Sequence, residues 1–349
     1  MSELNELQKL FFHDDPSKRE KWFNLFRDPI WAPRYNISLE DQRELSMQQL
    51  RKVAEAKIVS VTDFFSDPTN IFTAHENVGM IAGSTTTKLT VHYNLFGGTI
   101  AALHSERHKF LFPLIDKLDI TGCFCLTELG YGNNAVQMET TVTYDDKTKE
   151  FVVNSPTTLS QKYWITNGAV HANYALVFGQ TIVKGKNEGV NAFIVPIRDK
   201  KLKQLPGVEI NDMGYKIGLN GVDNAALKFN NVRIPRVNML NKYGDVTEKG
   251  EFVSDIKGIQ QRFFKVTERL LSGRLCIASM SFGAAKTLSY ITIKYAQQRM
   301  AVSENGKSET PIMEYQLQQN ALIPLISRTV ALNILHNFSK SVFKNPKGY

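Results

Sequence analysis

No stretch of this chain approaches the roughly 20 apolar residues that a membrane-crossing helix requires; runs such as Ala175 to Phe178 and Ala192 to Val195 are short. The chain therefore reads as soluble. Cysteine is scarce: Cys123, Cys125 and Cys276 leave an odd number, and a Cys-x-Cys pair without a second pair lacks zinc-site spacing. Reduced core thiols in an intracellular protein are expected. The start, Met1 to Leu7, has neither the basic residues nor the apolar core of a secretory signal. No block of one charge stands out either. The net charge of +8 is spread along the 349 residues, and the lysines at 200, 201 and 203 sit in a loop-like stretch, so a nucleic-acid partner is not expected. The same excess suits a small polyanionic ligand.

What is present is an ordinary globular balance, 42% hydrophobic and 22% charged, in a chain long enough for two or three domains. The first 120 residues are mostly helical in pattern. Leu39, Leu50, Val53 and Ile58 fall in a segment rich in Gln, Glu and Arg, which Ser38 caps with Asp41 three residues on. Near residue 121 the period shortens to two. Thr141–Tyr144 and Phe151–Val153 read as strand, turn, strand; so do 175–183 and 190–197, flanking the turn-rich 184–189, and 226–229 adds another strand. After about residue 255 helix returns, with Ile259, Phe263, Val266, Leu270 and Ile277 as its apolar stripe and Gly273 and Arg274 within it. A loop, 303–310, leads into a last helical pattern from Glu314 to about Phe343. The reading is an α+β chain in three parts: a helical domain at 1–120, a central antiparallel, barrel-like β domain at 121–250, and the start of a C-terminal helical bundle at 251–349. The last hairpin is left with a face that something should cover.

Three motifs fail on context. Gly130-x-Gly132-x-x-Ala135 has dinucleotide-fingerprint spacing, but residues 139–144 after it read as strand, with no helix to receive a pyrophosphate. His104 and His108 would share one helical face, yet no third ligand is evident, and no metal is expected. There is no Gly-x-Ser-x-Gly elbow.

Two stretches remain: Cys123 to Asn133, with Thr127, Glu128 and two glycines where helix gives way to sheet, and Lys162-Tyr-Trp-Ile-Thr-Asn-Gly168. An indole followed by a hydroxyl can flank a planar heteroaromatic ligand; equally, each stretch alone can be a core tryptophan and a turn. Together, and followed in order by Pro206-Gly207-Val208, Asp223-Asn224, 229–235, Gly244-Asp-Val-Thr247, Ser272-Gly-Arg274 and Tyr295 to Arg299, they resemble the flavin-binding half of the acyl-CoA dehydrogenase and oxidase superfamily. The Gly-Asp-Val-Thr segment and Ser105-Glu-Arg-His108 resemble the peroxisomal acyl-CoA oxidases, nearest to the branched-chain, pristanoyl type.

The resemblance implies an FAD-dependent oxidase that converts acyl-CoA and O2 into trans-2-enoyl-CoA and hydrogen peroxide. By match to the motifs, Thr127, Gly132, Asn133, Trp164 and Thr166 belong to the flavin site, and Arg299 reaches the flavin's pyrophosphate, which implies a homodimer or pairing with a full-length subunit. Asn133 stands where a serine or threonine is usual, and Met300 to Ser303 replace the family's Gln-Phe-Gly run. The catalytic glutamate belongs to a second half with no counterpart here, so no base is assigned, and Glu128 is not promoted to that role. Peroxisomal location follows by resemblance, although the ending Lys344 to Tyr349 is not of the Ser-Lys-Leu type. Two other readings stay open: a non-catalytic truncated paralogue that binds acyl-CoA or a full-length subunit, and an acyl-CoA dehydrogenase.

Overall fold

The structure is a computed structural model that describes residues 2–12 and 16–345. Met1 and the ending 346–349, on which the signal and targeting readings partly rest, lie outside the described residues. Helices come first: α1 (Ser2–Phe11), α2 (Pro16–Leu25), α3 (Leu39–Ala56), α4 (Asp63–Ser66), α5 (Thr69–Gly79), α6 (Gly83–Leu89), a π-helical segment at Thr90–Gly97, α7 (Gly98–Leu103) and α8 (Leu111–Asp116). Ser38 caps α3 as the sequence suggests, its hydroxyl accepting from the Asp41 amide at 3.0 Å.

Strands follow: β1 (Gly122–Cys125), β2 (Thr141–Asp145), β3 (Glu150–Asn154), β4 (Lys162–Thr166), β5 (Tyr174–Val183), β6 (Lys186–Pro196), β7 (Val208–Asp212), β8 (Asn224–Phe229), β9 (Val232–Pro235), β10 (Asp245–Val246) and β11 (Phe252–Val253). They form a six-stranded sheet in the order β1-β5-β2-β3-β9, with β6 on the other side of β5, and a three-stranded sheet β4-β8-β7. Pairing is largely antiparallel, but β5 runs parallel to both β1 and β2. The β5–β6 turn is tighter than the sequence suggests. Lys184 and Gly185 both take positive φ, 50° and 78°, the pair of left-handed residues that closes a two-residue hairpin, so strand resumes at Lys186.

Alternation along β5 and β6 explains how one sheet serves two cores. Leu176, Phe178, Val190, Ala192 and Ile194 join the core of the helical layer, whereas Ala175, Val177, Phe193 and Val195 face the second sheet with Leu227 and Phe229. With both faces buried, these strands read as continuous apolar runs. Ionic clasps fix the layers to each other. Arg43 of α3 grips Asp212 of β7 through two bonds of 2.6 and 2.7 Å, Lys88 of α6 pairs with the fully buried Asp223, and Arg107 reaches Asp245 at 3.0 Å.

The chain closes with α9 (Ile259–Val266), α10 (Leu270–Gln298), a hairpin of β12 (Met300–Val302) and β13 (Ser308–Pro311), and α11 (Gln316–Lys344). Here the apolar stripe read from the sequence is corrected in part: Val266 is buried and Phe263 packs against the helical core, but the other three members do neither. Ile259, Leu270 and Ile277 are exposed, and α10 buries Ser272, Cys276, Ser279 and Gly283 instead. A Cβ on Gly283 would stand 2.1 Å from the Glu76 carbonyl oxygen, and one on Gly79 would stand 2.9 Å from Met280. Small residues let α5 and α10 cross almost backbone to backbone. Arg274 is exposed, and no helix among the described residues is long and apolar enough to cross a membrane.

At that crossing Glu76 is the buried hub of four helices, bonded to Arg19 at 3.2 Å, Lys286 at 2.8 Å and Lys340 at 3.3 Å. Burial alone would raise its carboxyl; Lys340, Lys286 and Arg19 outweigh burial and hold it down at about 2.

Candidate functional site

The loop after β1 is organised by one buried carboxylate. Glu128 accepts from the amides of Glu139 (2.8 Å) and Thr140 (3.0 Å), from the Thr140 hydroxyl (2.5 Å) and from Lys162 Nζ (2.9 Å). Both ends of the ion pair are fully buried, and Lys162 also donates to the Leu126 carbonyl at 3.3 Å. Burial pulls the Lys162 amine below its usual range while Glu128 opposes that shift. Oε1 takes three of these bonds and Oε2 one, and the side chain is fully buried, so Glu128 is a clasp closed off from solvent.

The clasp sets the geometry of its neighbours. The Thr127 carbonyl accepts from the Tyr163 amide at 3.0 Å, and Glu128 bridges to Lys162, which lays the exposed Thr127 alongside β4. In β4 the register slips between Lys162 and Ile165, and at the bulge Trp164 takes φ +61°. A left-handed backbone on a bulky aromatic costs about 1–3 kcal/mol and is characteristic of functional sites. Its effect is to turn the indole outward, 56% exposed, whereas Trp22 and Trp31 are buried in the helical layer. Thr166, two residues on, is half-buried, and the Asn224 amide donates to its hydroxyl oxygen at 3.2 Å and to the Trp164 carbonyl at 3.5 Å. Exposed Leu129 and Leu159 extend the apolar surface beside the indole loop.

Of the six residues singled out from the sequence, the fold brings Thr127, Trp164 and Thr166 to neighbouring positions. Gly132 (φ +50°) and Asn133 lie in the exposed turn after Glu128, where the Gly132 amide donates to the Glu128 carbonyl at 3.1 Å. Arg299 stands apart. It caps the C-terminal end of α10, a helix of 29 residues and so about 43 Å long. The opposite end of α10 is the one near the sheet: Ser272 donates to Asn94 Oδ1 at 2.7 Å in the π-helical segment that lies against β1. Arg299 is exposed and makes no side-chain hydrogen bond among the described residues. Asn224 and Lys162 carry no role in the sequence reading. Their only signal is position, Asn224 within the Asp-Asn pair and Lys162 two residues before the tryptophan.

The rejected motifs resolve plainly. After Gly132 comes a three-residue turn of 3-10 helix at Ala135–Gln137 and then β2, so no helix N-terminus succeeds the glycines. His104 and His108 do not share a helical face, because α7 ends at Leu103. His104 Nδ1 lies 2.6 Å from the Ala101 carbonyl, while His108 accepts from the Ser105 amide at 3.1 Å. A separate cleft of about 1140 Å³ opens at the other end of β1, between Thr121, Tyr174 and Arg198. Its most buried cation, Arg198, is already committed to the carbonyls of Gly168, Ala169 and Ala172.

Family models place this geometry. Residues 123–232 match the acyl-CoA dehydrogenase middle domain, and residues 268–347 match the acyl-CoA oxidase C-alpha1 domain. Acyl-coenzyme A oxidase 2, peroxisomal, of Arabidopsis thaliana is 42% identical over 324 residues, 90% of this chain and 47% of that protein. The chain belongs to the acyl-CoA oxidase family. Peroxisomal acyl-coenzyme A oxidase 3 of Homo sapiens is 37% identical over 91% of the chain and 46% of its own length. Among solved oxidases, acyl-CoA oxidase1 of Yarrowia lipolytica superimposes with a TM-score of 0.83 at 28% identity, covering 97% of this chain and 49% of that one. The Caenorhabditis elegans acyl-CoA oxidase-1 complexed with FAD and ATP gives 0.74 at 28% identity, over 96% and 49%. This oxidase-family chain thus spans about half the length of the relatives it matches.

Proposed function

We propose that the chain is the flavin-holding portion of an FAD-dependent acyl-CoA oxidase that turns acyl-CoA and O2 into trans-2-enoyl-CoA and hydrogen peroxide. The observation that carries this is the bulge in β4, which uses backbone strain to hold one indole in the open, two residues before Thr166 and next to Tyr163, whose amide donates to the Thr127 carbonyl. An apolar ring face with hydroxyl donors beside it fits a planar heteroaromatic ring, and the exposed Arg299 guanidinium fits a pyrophosphate. The donor set therefore suits FAD. When bound, the flavin would supply the two-electron redox chemistry that no side chain here provides.

The chain's own residues orient and enclose. Trp164 shields one ring face from water, Thr127 and Thr166 offer hydroxyl protons at its edge, and Gly132 and Asn133 form the turn that borders it. Arg299, at the C-terminal end of α10, serves the flavin of a second copy or of a full-length subunit, which makes the working unit a dimer. Glu128, fully buried and paired with Lys162, is not assigned as the base. The base that takes the substrate's α-proton belongs to sequence that the relatives have and this chain does not match. The three-part division at about residues 120 and 250 gives this assignment its form: a helical domain and a β domain that hold the flavin, and a hairpin that starts the bundle. A peroxisomal setting is supported by the names of the relatives.

The test is gel filtration of the purified chain after incubation with FAD. A visible flavin band that travels with the protein is expected. A folded, colourless protein at saturating FAD would remove the flavin reading and favour the non-catalytic one.

A further inference from the structure

We propose that Asn224 is a positioning residue that sets the polarity of the Thr166 hydroxyl, so that Thr166 presents its proton, and not a lone pair, to the ligand on this face. The inference rests on the flavin reading and names a part of the site that the reading does not require.

A hydroxyl has one proton and two lone pairs and rotates to suit its partners. At Thr166 that freedom is narrowed. Asn224 Nδ2 lies 3.2 Å from the hydroxyl oxygen and 3.5 Å from the Trp164 carbonyl oxygen. The orientation of an amide follows from its partners. Were it flipped, Asn224 Oδ1 would face the carbonyl oxygen of Trp164, acceptor against acceptor, so the nitrogen points toward this pair. With an N–H donated into its oxygen, Thr166 cannot send its own proton back toward Asn224. The proton is left to point away from Asn224 and β8, and a ligand on the open side of β4 can take it. A ligand atom matched to it must be an acceptor, such as a ring nitrogen or carbonyl at the edge of a flavin.

Asn224 is itself held by its strand register and by the anchoring of its neighbour. The β4–β8 register places it directly opposite Thr166. Its neighbour Asp223, fully buried, accepts from the amides of Val170 (2.7 Å) and His171 (3.1 Å) and pairs with Lys88 from α6. Burial would raise the Asp223 carboxyl; Lys88 and His171 outweigh burial and keep it ionised. The helical layer thereby anchors the strand residue that aims the hydroxyl.

The test is a double-mutant cycle on FAD affinity, read together with the visible absorption envelope and reduction potential of the bound flavin. Thr166→Val removes the hydroxyl at constant shape, and Asn224→Leu removes the donor behind it. Each is expected to weaken FAD about tenfold, the size of one neutral hydrogen bond, and to shift the band in the same direction. In the Thr166→Val background, Asn224→Leu should cost nothing further. Asn224→Asp is isosteric and accepts where Asn224 donates. It should weaken FAD at least as far, and it carries the test should Asn224→Leu fail to fold. Thr166→Ser, which keeps a hydroxyl, should retain affinity. Additive losses in the double variant, or wild-type FAD binding and spectrum in both Asn224 variants, would overturn the proposal and leave the flavin reading standing. Failure of the unsubstituted chain to bind FAD would overturn both.

Discussion

At the scale of single residues, buried charge and buried imidazole dominate. Glu128→Gln keeps the shape of the clasp but leaves the Lys162 ammonium buried without a counter-charge. Breaking one side of a buried pair costs about 3–5 kcal/mol, so urea unfolding of this variant should show a loss of that order. An unchanged midpoint would show that the clasp is dispensable. The pH dependence comes from histidines that burial lowers: His75, His92 and His336 to about 4, and His108 in the same direction. His75 and His92 are fully buried with Nδ1 and Nε2, respectively, on the carbonyls of Ile71 and Ile115, and burial lowers each to about 4 against the backbone bonds that oppose it. The unfolded value is about 6.5, so the unfolded chain binds protons first as pH falls. Stability from these groups is complete above about pH 6.5 and drains between there and pH 4, at about 1.4 kcal/mol per pH unit for each ring. Asp63 and Asp116, pushed upward by burial, take up protons in the folded state and offset part of this loss. Denaturation at a series of pH values checks the sign; stability that is flat or rising from pH 6.5 to 4 would contradict it.

At the scale of elements, Gly283→Ala places a Cβ 2.1 Å from the Glu76 carbonyl oxygen, and the α5–α10 crossing has no slack to absorb it. Overpacking of this kind costs about 1–3 kcal/mol, which the thermal midpoint of the variant should report. What the sequence tells about elements depends on how local the cause is. The Ser38 cap of α3 and the β2–β3 hairpin rest on residues adjacent in the chain, and both are visible in the sequence. The parallel pairing of β5 with β1 and β2 rests on partners some 40 to 50 residues apart, and no local pattern announces it. The face of α10 is misread for a different reason. Large apolar residues normally mark the buried stripe, but a close helix crossing selects Ser272, Cys276, Ser279 and Gly283, which look neutral in sequence and leave Ile277 outside. Likewise, the sequence shows a tryptophan followed by a threonine, but not the bulge at Trp164, because a register slip depends on the partner strand β8.

At the scale of the whole molecule, the helical and β layers are joined by ion pairs as well as by apolar contact. Lys88→Met would strand Asp223, which holds two amides of the 170–171 loop and sits beside Asn224. Global stability should fall by about 3–5 kcal/mol, with FAD affinity falling in the same variant. Retained affinity would separate the clasp from the site. The position of Arg299 is also a whole-molecule property: its match to a family motif is readable in the sequence, whereas its place at the opposite end of α10 from the contact of Ser272 with Asn94 emerges only in the fold. The outward Trp164 face is the place where FAD is proposed to dock. Its most direct test is an equilibrium FAD titration of the chain beside its Trp164→Ala variant, followed by flavin absorbance. Saturable binding to the unsubstituted chain is predicted, with a loss of at least about tenfold, one ring contact plus its buried area, in the variant. Equal affinity in the two proteins would contradict docking on this face.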